Sequence, residues 1–220
     1  MQLKGDYHTH SQYSHGRGNL PKELLEIKEK VERLQAEFPR IKILCGVEAN
    51  IINHDGDLDV PDDILEELDL VAAGLHLLII PPDLVTAWRL IIANKLIYRF
   101  FPGRREGIRR WNTEMVINAV KRHKIDFITH PGYQLDIDTF ALAKACAEEG
   151  TYLEINARHG ELTRGFVEAA SQTEVKFIIN SDAHSPEAVG ELAPGLKIVR
   201  DLKLAPERVI NFEGWRRDGR

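Results

Sequence analysis

The chain has 220 residues, nine histidines, two cysteines and a formal net charge of −5. Neutralising nucleic-acid phosphates needs a basic surface, so this charge argues against nucleic acid as a partner. The length allows one large core, and we predict a single domain over residues 1–220. The two thiols, Cys45 and Cys146, lie in apolar segments, and no charged leader precedes the first motif, so we expect a cytoplasmic protein.

Strand-like and helix-like segments alternate along the chain. A first apolar run ends at Asp6-Tyr7-His8-Thr9-His10, and a helix with Pro21 in its first turn then continues to about Pro39. Further strands are predicted at 41–47, 68–75, 125–129, 152–156 and 175–180. Helices are predicted at 136–149, closed by Gly150, at 161–171, and after Ser185-Pro186. Such alternation indicates a parallel sheet with helical crossovers.

Residues 84–123 contain two predicted helical stretches separated by Pro102-Gly103, the second with Asn112 or Thr113 as a candidate cap. The longest apolar stretch, residues 84–101, is interrupted by charged residues. These are Arg89, Lys95 and Arg99. Charges inside a spanning helix are costly, so we predict no membrane span and no membrane partner. The arginines that follow could attract a phosphorylated ligand, although a solvated basic face is the simpler interpretation.

Residue types that bind metals stand where the predicted strands end. They are His8, His10, Glu48, His76, His130, Asp182 and His184. A barrel rim collects side chains from many strand ends, whereas an open doubly wound sheet, the alternative architecture, concentrates its site at one switch point. Ligands from at least five strand ends therefore favour an α/β fold of the β/α barrel type.

The spacing of the first two histidines suits a shared ion. His8 and His10 lie two apart, so on a strand both project to one face, and Asp182 and His184 repeat this geometry. With His15, these candidates predict two to three divalent ions, and ligation without thiolate suits zinc, manganese or iron(II). Two ions about 3.5–4 Å apart can clamp a phosphoryl group and activate water. The predicted chemistry is hydrolysis of a phosphate ester, with hydroxide as the nucleophile and Asp182 and His184 at its centre.

Three further residues are weaker candidates near the same opening. Arg17 and Arg158 could bind a substrate phosphate, because a guanidinium group matches phosphate geometry, although a solvent-facing loop arginine is an equal alternative for Arg17. His159 could protonate a leaving alkoxide or could only orient a neighbouring group.

The chain resembles the PHP (polymerase and histidinol phosphatase) family of metal-dependent phosphoesterases almost from end to end. The segments that carry the resemblance are Asp6-Tyr7-His8-Thr9-His10-Ser11, Tyr13-Ser14-His15-Gly16-Arg17-Gly18, Gly46-Val47-Glu48-Ala49-Asn50, Gly74-Leu75-His76, Ile128-Thr129-His130-Pro131-Gly132, Glu154-Ile155-Asn156 and Asn180-Ser181-Asp182-Ala183-His184. The resemblance implies a distorted seven-stranded β/α barrel with three metal ions on its carboxyl rim.

The resemblance also implies how the ligands are shared. The first ion would take His8, His10, Glu48 and Asp182; the second Glu48, His76 and His130; the third His15 and His184. In the family, the third ion receives another histidine from a Thr-Asp-His-Gly motif after the second strand, and the sequence between Gly18 and Ile41 lacks this motif. One βα unit is therefore expected to be missing, which leaves six strands and a weak or empty third site. Unpaired strand edges need cover, which a homo-oligomer could provide.

Three functions follow in order of preference. The first is hydrolysis of a small phosphomonoester such as histidinol phosphate, as the resemblance implies. The second is a metal-binding module with weakened catalysis and a structural or regulatory role. A nuclease that acts on nucleic-acid ends is a minor third alternative.

Overall fold

The computed structural model describes residues 3–11, 20–77, 79 and 83–212. Within them, five parallel strands form one sheet in the order β1-β2-β3-β4-β5. The strands are β1 Gly46–Asn50, β2 Leu70–Gly74, β3 Phe127–Ile128, β4 Tyr152–Asn156 and β5 Phe177–Asn180. A doubly wound sheet reverses its strand order at a switch point, so this sequential order is consistent with a barrel-like α/β fold.

Helices flank the sheet. They are α1 Leu20–Glu37, α2 Asp62–Glu67, α3 Leu84–Ala87, α4 Tyr98–Phe100, α5 Arg105–Arg122, α6 Thr139–Glu149, α7 Arg164–Ser171 and α8 Ala193–Asp201. A π-helical segment, Trp88–Ile97, joins α3 to α4, and short 3₁₀ turns lie at Pro102–Arg104, Gly160–Thr163, Pro186–Ala188, Pro206–Arg208 and Ile210–Phe212. None of the helices in the described residues is both long enough and apolar enough to cross a membrane.

Each face of the sheet has its own hydrophobic cluster. The larger cluster joins alternate strand residues, such as Val71, Ala73 and Ile155, to the inward faces of the helices. The smaller cluster contains Leu70, Ala72, Phe127 and Ile178 on the opposite face. The register pairs Glu48 with Ala72 and Glu154 with Ile178, so both carboxylates share the face of the smaller cluster. This cluster forms an apolar floor beneath the polar ends of the strands.

The N-terminal segment differs from the prediction. Residues 3–11 form no extended strand, and they join the sheet through one parallel bridge between Thr9 and Ala183. The physical reason is that side chains take part of the hydrogen bonding that a strand ladder would use: Tyr7 N donates to Asn180 Oδ1 at 3.0 Å. The described residues therefore contain five strands rather than six, and this segment lies beside the end of β5.

The helix ends were predicted with mixed success. Gly150 closes α6 with a φ of 74°, as expected, but the N-cap of this helix is Asp138, which accepts from Ala141 N. Asn112 and Thr113 are not caps, because both lie inside α5. Thr113 Oγ1 donates to Arg109 O and accepts from Asp138 N, each at 2.7 Å. Tertiary hydrogen bonds thus use side chains that the local pattern assigned to a helix start.

The turn after β1 depends on Gly56. Its φ is +84°, and an added Cβ would meet the backbone of Asn118 and Ala119 in α5. We expect Gly56→Ala to lower the free energy of unfolding by about 2–4 kcal/mol, because it combines left-handed strain with a backbone clash. Urea denaturation checks this, with Gly107→Ala as the control. A Cβ at Gly107 meets nothing within 4 Å, so the control should be neutral or slightly stabilising.

Candidate metal centre

The polar residues of the sheet meet at its carboxyl edge. Glu48 lies in β1, His76 follows β2, His130 follows β3 and Asp182 follows β5. The bridge between Thr9 and Ala183 brings the N-terminal segment, with His8 and His10, to the same edge. Carboxyl ends of parallel strands lie together at one edge, so residues far apart in the sequence become neighbours here.

Two groups of three side chains have ligand atoms close enough to hold a metal ion. The first group is His8, His10 and Asp182, and the second is Glu48, His76 and His130. In the first group, the Nε2 atoms of His8 and His10 are 3.1 Å apart, and His10 Nε2 lies 3.2 Å from Asp182 Oδ1. In the second, the Nε2 atoms of His76 and His130 are 3.3 Å apart.

Glu48 connects the two groups. Its Oε2 lies 3.3 Å from His8 Nε2 and 3.5 Å from His10 Nε2. Its Oε1 lies 3.3 Å from His76 Nε2 and 3.1 Å from His130 Nε2. Each carboxylate oxygen therefore faces one pair of imidazoles, which is the arrangement of a bridging ligand.

In two of the histidines, Nδ1, the ring nitrogen that points away from the cluster, contacts a hydrogen-bond acceptor. His8 Nδ1 lies 2.7 Å from Glu154 Oε1, and His76 Nδ1 lies 2.8 Å from Asn50 Oδ1. The amide of Asn50 is oriented by Asp59, because its Nδ2 donates to Asp59 Oδ2 at 2.5 Å. A carboxylate can only accept, so Nδ1 of His8 carries a proton, which leaves its Nε2 as the ring atom that would bind a cation. The same tautomer follows for His76, and such outer partners commonly orient metal-binding histidines.

Glu154 is a buried residue that was not among the site residues predicted from the sequence. Its Oε1 also accepts from Asn180 Nδ2 at 3.0 Å, and its Oε2 accepts from His130 N at 2.7 Å and from Asn156 Nδ2 at 2.9 Å. One carboxylate thus positions elements from both ligand groups. The available signal was the alternation Glu154-Ile155-Asn156, which places both polar side chains on one face of a strand.

Close contacts between carboxylates and imidazoles shift the pKa values of several side chains in this cluster. Burial alone would raise the pKa of Glu48, but hydrogen bonds with His130, His76 and His8 hold it well below its ordinary value. Burial also opposes ionisation of Asp182, yet contacts with His10, His8 and Asn156 lower its pKa to about 2. For His8, burial would lower the pKa, but Glu154 and Glu48 raise it well above its ordinary value. The carboxylates therefore remain ionised and draw positive charge towards the site.

Two of the ligand-type residues have strained backbones. His130 has a φ of 25° and Asp182 a φ of 51°, and within the described residues only Lys203 is another non-glycine residue with positive φ. This conformation costs on the order of 1–3 kcal/mol and persists only where the surroundings enforce it. The hydrogen bond from His130 N to Glu154 supplies part of that enforcement.

The remaining predicted residues lie on one side of the cluster. His159 stacks on Tyr133, with ring centroids 3.5 Å apart, and its Nε2 lies 3.6 Å from Asp182 Oδ2. Burial, followed by the nearby charge of His130, lowers the pKa of His159. Arg158 Nη1 lies 2.8 Å from His184 Nδ1 and 3.8 Å from Asp182 Oδ2.

The structure thus brings together most of the residues selected from the sequence. They are His8, His10, Glu48, His76, His130, Arg158, His159, Asp182 and His184. His15 and Arg17 lie outside the described residues. Five side chains that support the cluster were not selected as site residues: Asn50, Asp59, Glu154, Asn156 and Asn180.

Comparison with known proteins places the chain in a family, although no family model matches it. A protein of Thermoanaerobacter sp. (strain X514), named a probable phosphatase, is 32% identical over 191 residues, which cover 82% of this chain and 68% of the relative. The chain belongs to this family of probable phosphatases. A second family member, from Shewanella baltica (strain OS195), is 31% identical over 248 residues, covering 96% of this chain and 87% of the relative. That aligned length exceeds the 220 residues of this chain, so the Shewanella relative contains residues without a counterpart here.

Proposed function

We propose that this chain is a metal-dependent phosphoesterase of the PHP type that hydrolyses a small phosphomonoester, with a compound like histidinol phosphate as the model substrate. The observation that carries the proposal is the position of Glu48 between two groups of imidazole ligands. Its second support is membership of a family of probable phosphatases. A pair of ions bridged by a carboxylate is a common centre for phosphoryl chemistry.

The spacing of the side chains fits metal ions. Nitrogen ligands bind zinc at about 2.0–2.1 Å, so neighbouring ligands around one tetrahedral ion lie roughly 3.3 Å apart. The separations of 3.1, 3.2 and 3.3 Å within the two groups match this value. Imidazole and carboxylate without thiolate suit zinc, manganese or iron(II). His8, His10 and Asp182 would hold one ion, His76 and His130 the other, and Glu48 both.

The protein's own groups have separate tasks. When bound, the ions would clamp the phosphoryl group and lower the pKa of the attacking water. Glu154 and Asn50 hold the rings of His8 and His76 in the tautomer that binds cations. Arg158, half exposed at the edge of the cluster, offers donors to phosphate oxygens. The imidazole of His159 lies beside Asp182 and would exchange a proton with the substrate.

A third ion is disfavoured in this chain. His184, which the PHP resemblance assigns to that ion, has its ring against the guanidinium of Arg158. A cation in contact with a candidate ligand opposes the approach of another cation. The Thr-Asp-His-Gly motif that supplies the further histidine in the PHP family is absent between Gly18 and Ile41. We therefore assign two ions rather than three.

The decisive experiment measures metal content and turnover together. Purified protein, stripped with a chelator and reloaded with manganese or zinc, should contain two ions per chain by elemental analysis. It should then hydrolyse p-nitrophenyl phosphate, whereas the stripped protein should not. Two bound ions without turnover of this ester or of histidinol phosphate would instead support the alternative function, a metal-binding module, which the lost ligand segment favours. Turnover unaffected by stripping would contradict metal dependence.

Arg158 provides a test of substrate binding. We expect Arg158→Gln to raise KM for a phosphomonoester about tenfold with a smaller change in kcat, because the lost guanidinium contacts bind phosphate in both ground and transition states. Steady-state kinetics with the metal-loaded enzyme measures this, and Arg200→Gln, on α8, is the control. An unchanged KM would show that Arg158 only contacts His184 and Asp182.

A further inference from the structure

The helical segment from α3 to α4 exposes an apolar stripe. Five large side chains recur at intervals of four residues: Leu84, Trp88, Ile92, Leu96 and Phe100. All five are exposed, from 38% for Ile92 to 88% for Leu84. Four-residue spacing keeps side chains close to one face of a helix. Large exposed apolar patches usually mark an interaction surface rather than a solvated one.

The opposite face of the same segment already has its partner. Thr86, Leu90 and Ala93 are buried, and Leu90 belongs to the main core. Hydrogen bonds between Asn94 and Asn112 fasten the segment to α5. The stripe is therefore the outer face of a firmly attached element. Most of its length is π-helical, a rare geometry that is frequent at functional sites.

Within residues 84–105 the charged side chains all have one sign, and Asp83, just before the stripe, is the N-cap of α3. Residues 84–105 contain five cationic side chains and no Asp or Glu, in a chain whose formal net charge is −5. The five are Arg89, Lys95, Arg99, Arg104 and Arg105. Among the residues that the structure describes, no carboxylate forms an ion pair with Lys95, Arg99 or Arg104, whereas Arg109 pairs with Glu106 and Asp138. The apolar stripe thus has a border of uncompensated positive charge.

This combination matches an anionic bilayer surface better than a second copy of the chain. Two copies packed stripe to stripe would bring their cations together, and the segment has no acidic residue to neutralise them. A helix with Trp, Phe and Leu on one face and Lys and Arg beside it binds in the plane of an interface. We expected no membrane partner because charges interrupt this segment as a span, but a helix that lies on a bilayer surface needs no span.

We propose that residues 84–105 form a membrane-surface docking site, with the apolar stripe inserted among the acyl chains and Lys95, Arg99 and Arg104 against anionic phospholipid headgroups. This assignment is independent of the proposed phosphatase chemistry. It attaches the protein to the lipid surface reversibly, by apolar area and by charge together.

Co-sedimentation of the full chain with vesicles tests the assignment. The protein should bind equimolar phosphatidylcholine–phosphatidylglycerol vesicles and not pure phosphatidylcholine vesicles, and added salt should weaken the binding. Lys95→Gln with Arg99→Gln should lower the partition coefficient about fivefold per cation, or roughly 25-fold for the pair. The matched control, Arg33→Gln with Arg40→Gln, removes two exposed cations elsewhere and should bind as the parent does.

The apolar part has its own variants. Leu96→Glu with Phe100→Glu should abolish vesicle binding without lowering the melting temperature, because both side chains are exposed. Phe38→Glu with Ile41→Glu, also exposed, should change nothing. Equal binding to neutral vesicles, or none to anionic ones, would overturn the proposal. So would a dimer in sedimentation equilibrium that Leu96→Glu with Phe100→Glu dissociates, because the stripe would then be a contact between two copies.

Discussion

Replacing Glu48 by glutamine should reduce the bound metal from two ions to less than one per chain and lower kcat/KM on the order of 10³-fold. The substitution keeps the shape of the side chain but removes the negative charge that faces all four imidazoles. An amide also turns an NH₂ group towards one pair of ring nitrogens, where a ligand oxygen stood before. Elemental analysis and steady-state hydrolysis of p-nitrophenyl phosphate measure the two effects.

The matched control is Glu29→Gln, an isosteric change on the exposed surface of α1. It should retain the parent's ion content and kcat/KM. If Glu48→Gln kept two ions and lost less than tenfold in kcat/KM, Glu48 would not be a shared ligand. The proposed centre would then have to be replaced by two separate ion sites that do not share Glu48.

The second large effect is expected from substituting Glu154, which is not among the residues proposed to contact the substrate. Both of its oxygens are fully used by four donors: His8 Nδ1, His130 N, Asn156 Nδ2 and Asn180 Nδ2. Glu154→Gln would point an NH₂ group at two of these donors and leave them unsatisfied inside the protein. We expect the metal-free protein to lose roughly 2–4 kcal/mol of stability and the ion affinity to fall 10–100-fold.

Urea denaturation in chelator and competition for zinc with a colorimetric chelator measure these quantities. Glu149→Gln, at the exposed end of α6, is the control and should change neither. A merely structural role for Glu154 would lower stability while leaving ion affinity unchanged. That outcome would contradict the orienting role that we assign to its contact with His8.

The candidate metal ligands could be predicted from the sequence, but the side chains that orient them could not. His8 and His10, and Asp182 two residues before His184, stand out because metal-binding residue types recur at strand ends. Glu154 stands out less, since its alternation with Asn156 marks one face of a strand but does not indicate which residues that face contacts. Only the three-dimensional register shows that it faces His8 and His130.

The alternation of strands and helices could be predicted from the sequence, but the form of the N-terminal segment and the start of α5 could not. Local periodicity located β2 to β5, because each of these buried strands is a short apolar run, whereas the strand predicted at 41–47 lies at Gly46–Asn50 and is only partly buried. The first apolar run, which ends at His10, forms no strand. The side chain of Asp6 accepts from Ser181 N and that of Asn180 accepts from Tyr7 N, so side chains replace part of a strand ladder. Similarly, Asn112 and Thr113 suggested a helix start, but their side chains bond residues 94 and 138, which are distant in sequence. Non-local hydrogen bonds of this kind carry no sequence signal.

The hydrogen bonds of Asp6 bear on the order in which the protein folds during its synthesis. Its carboxylate accepts from Ser181 N and Oγ and from Gly190 N, which fastens the beginning of the chain to a point 175 residues later. During synthesis from the N-terminus, Glu48, His76 and His130 can assemble once β3 has emerged. His8 and His10 must wait for Asp182. We expect the nascent polypeptide to form the two proposed cation sites in sequence, the second only after Asp182 has emerged.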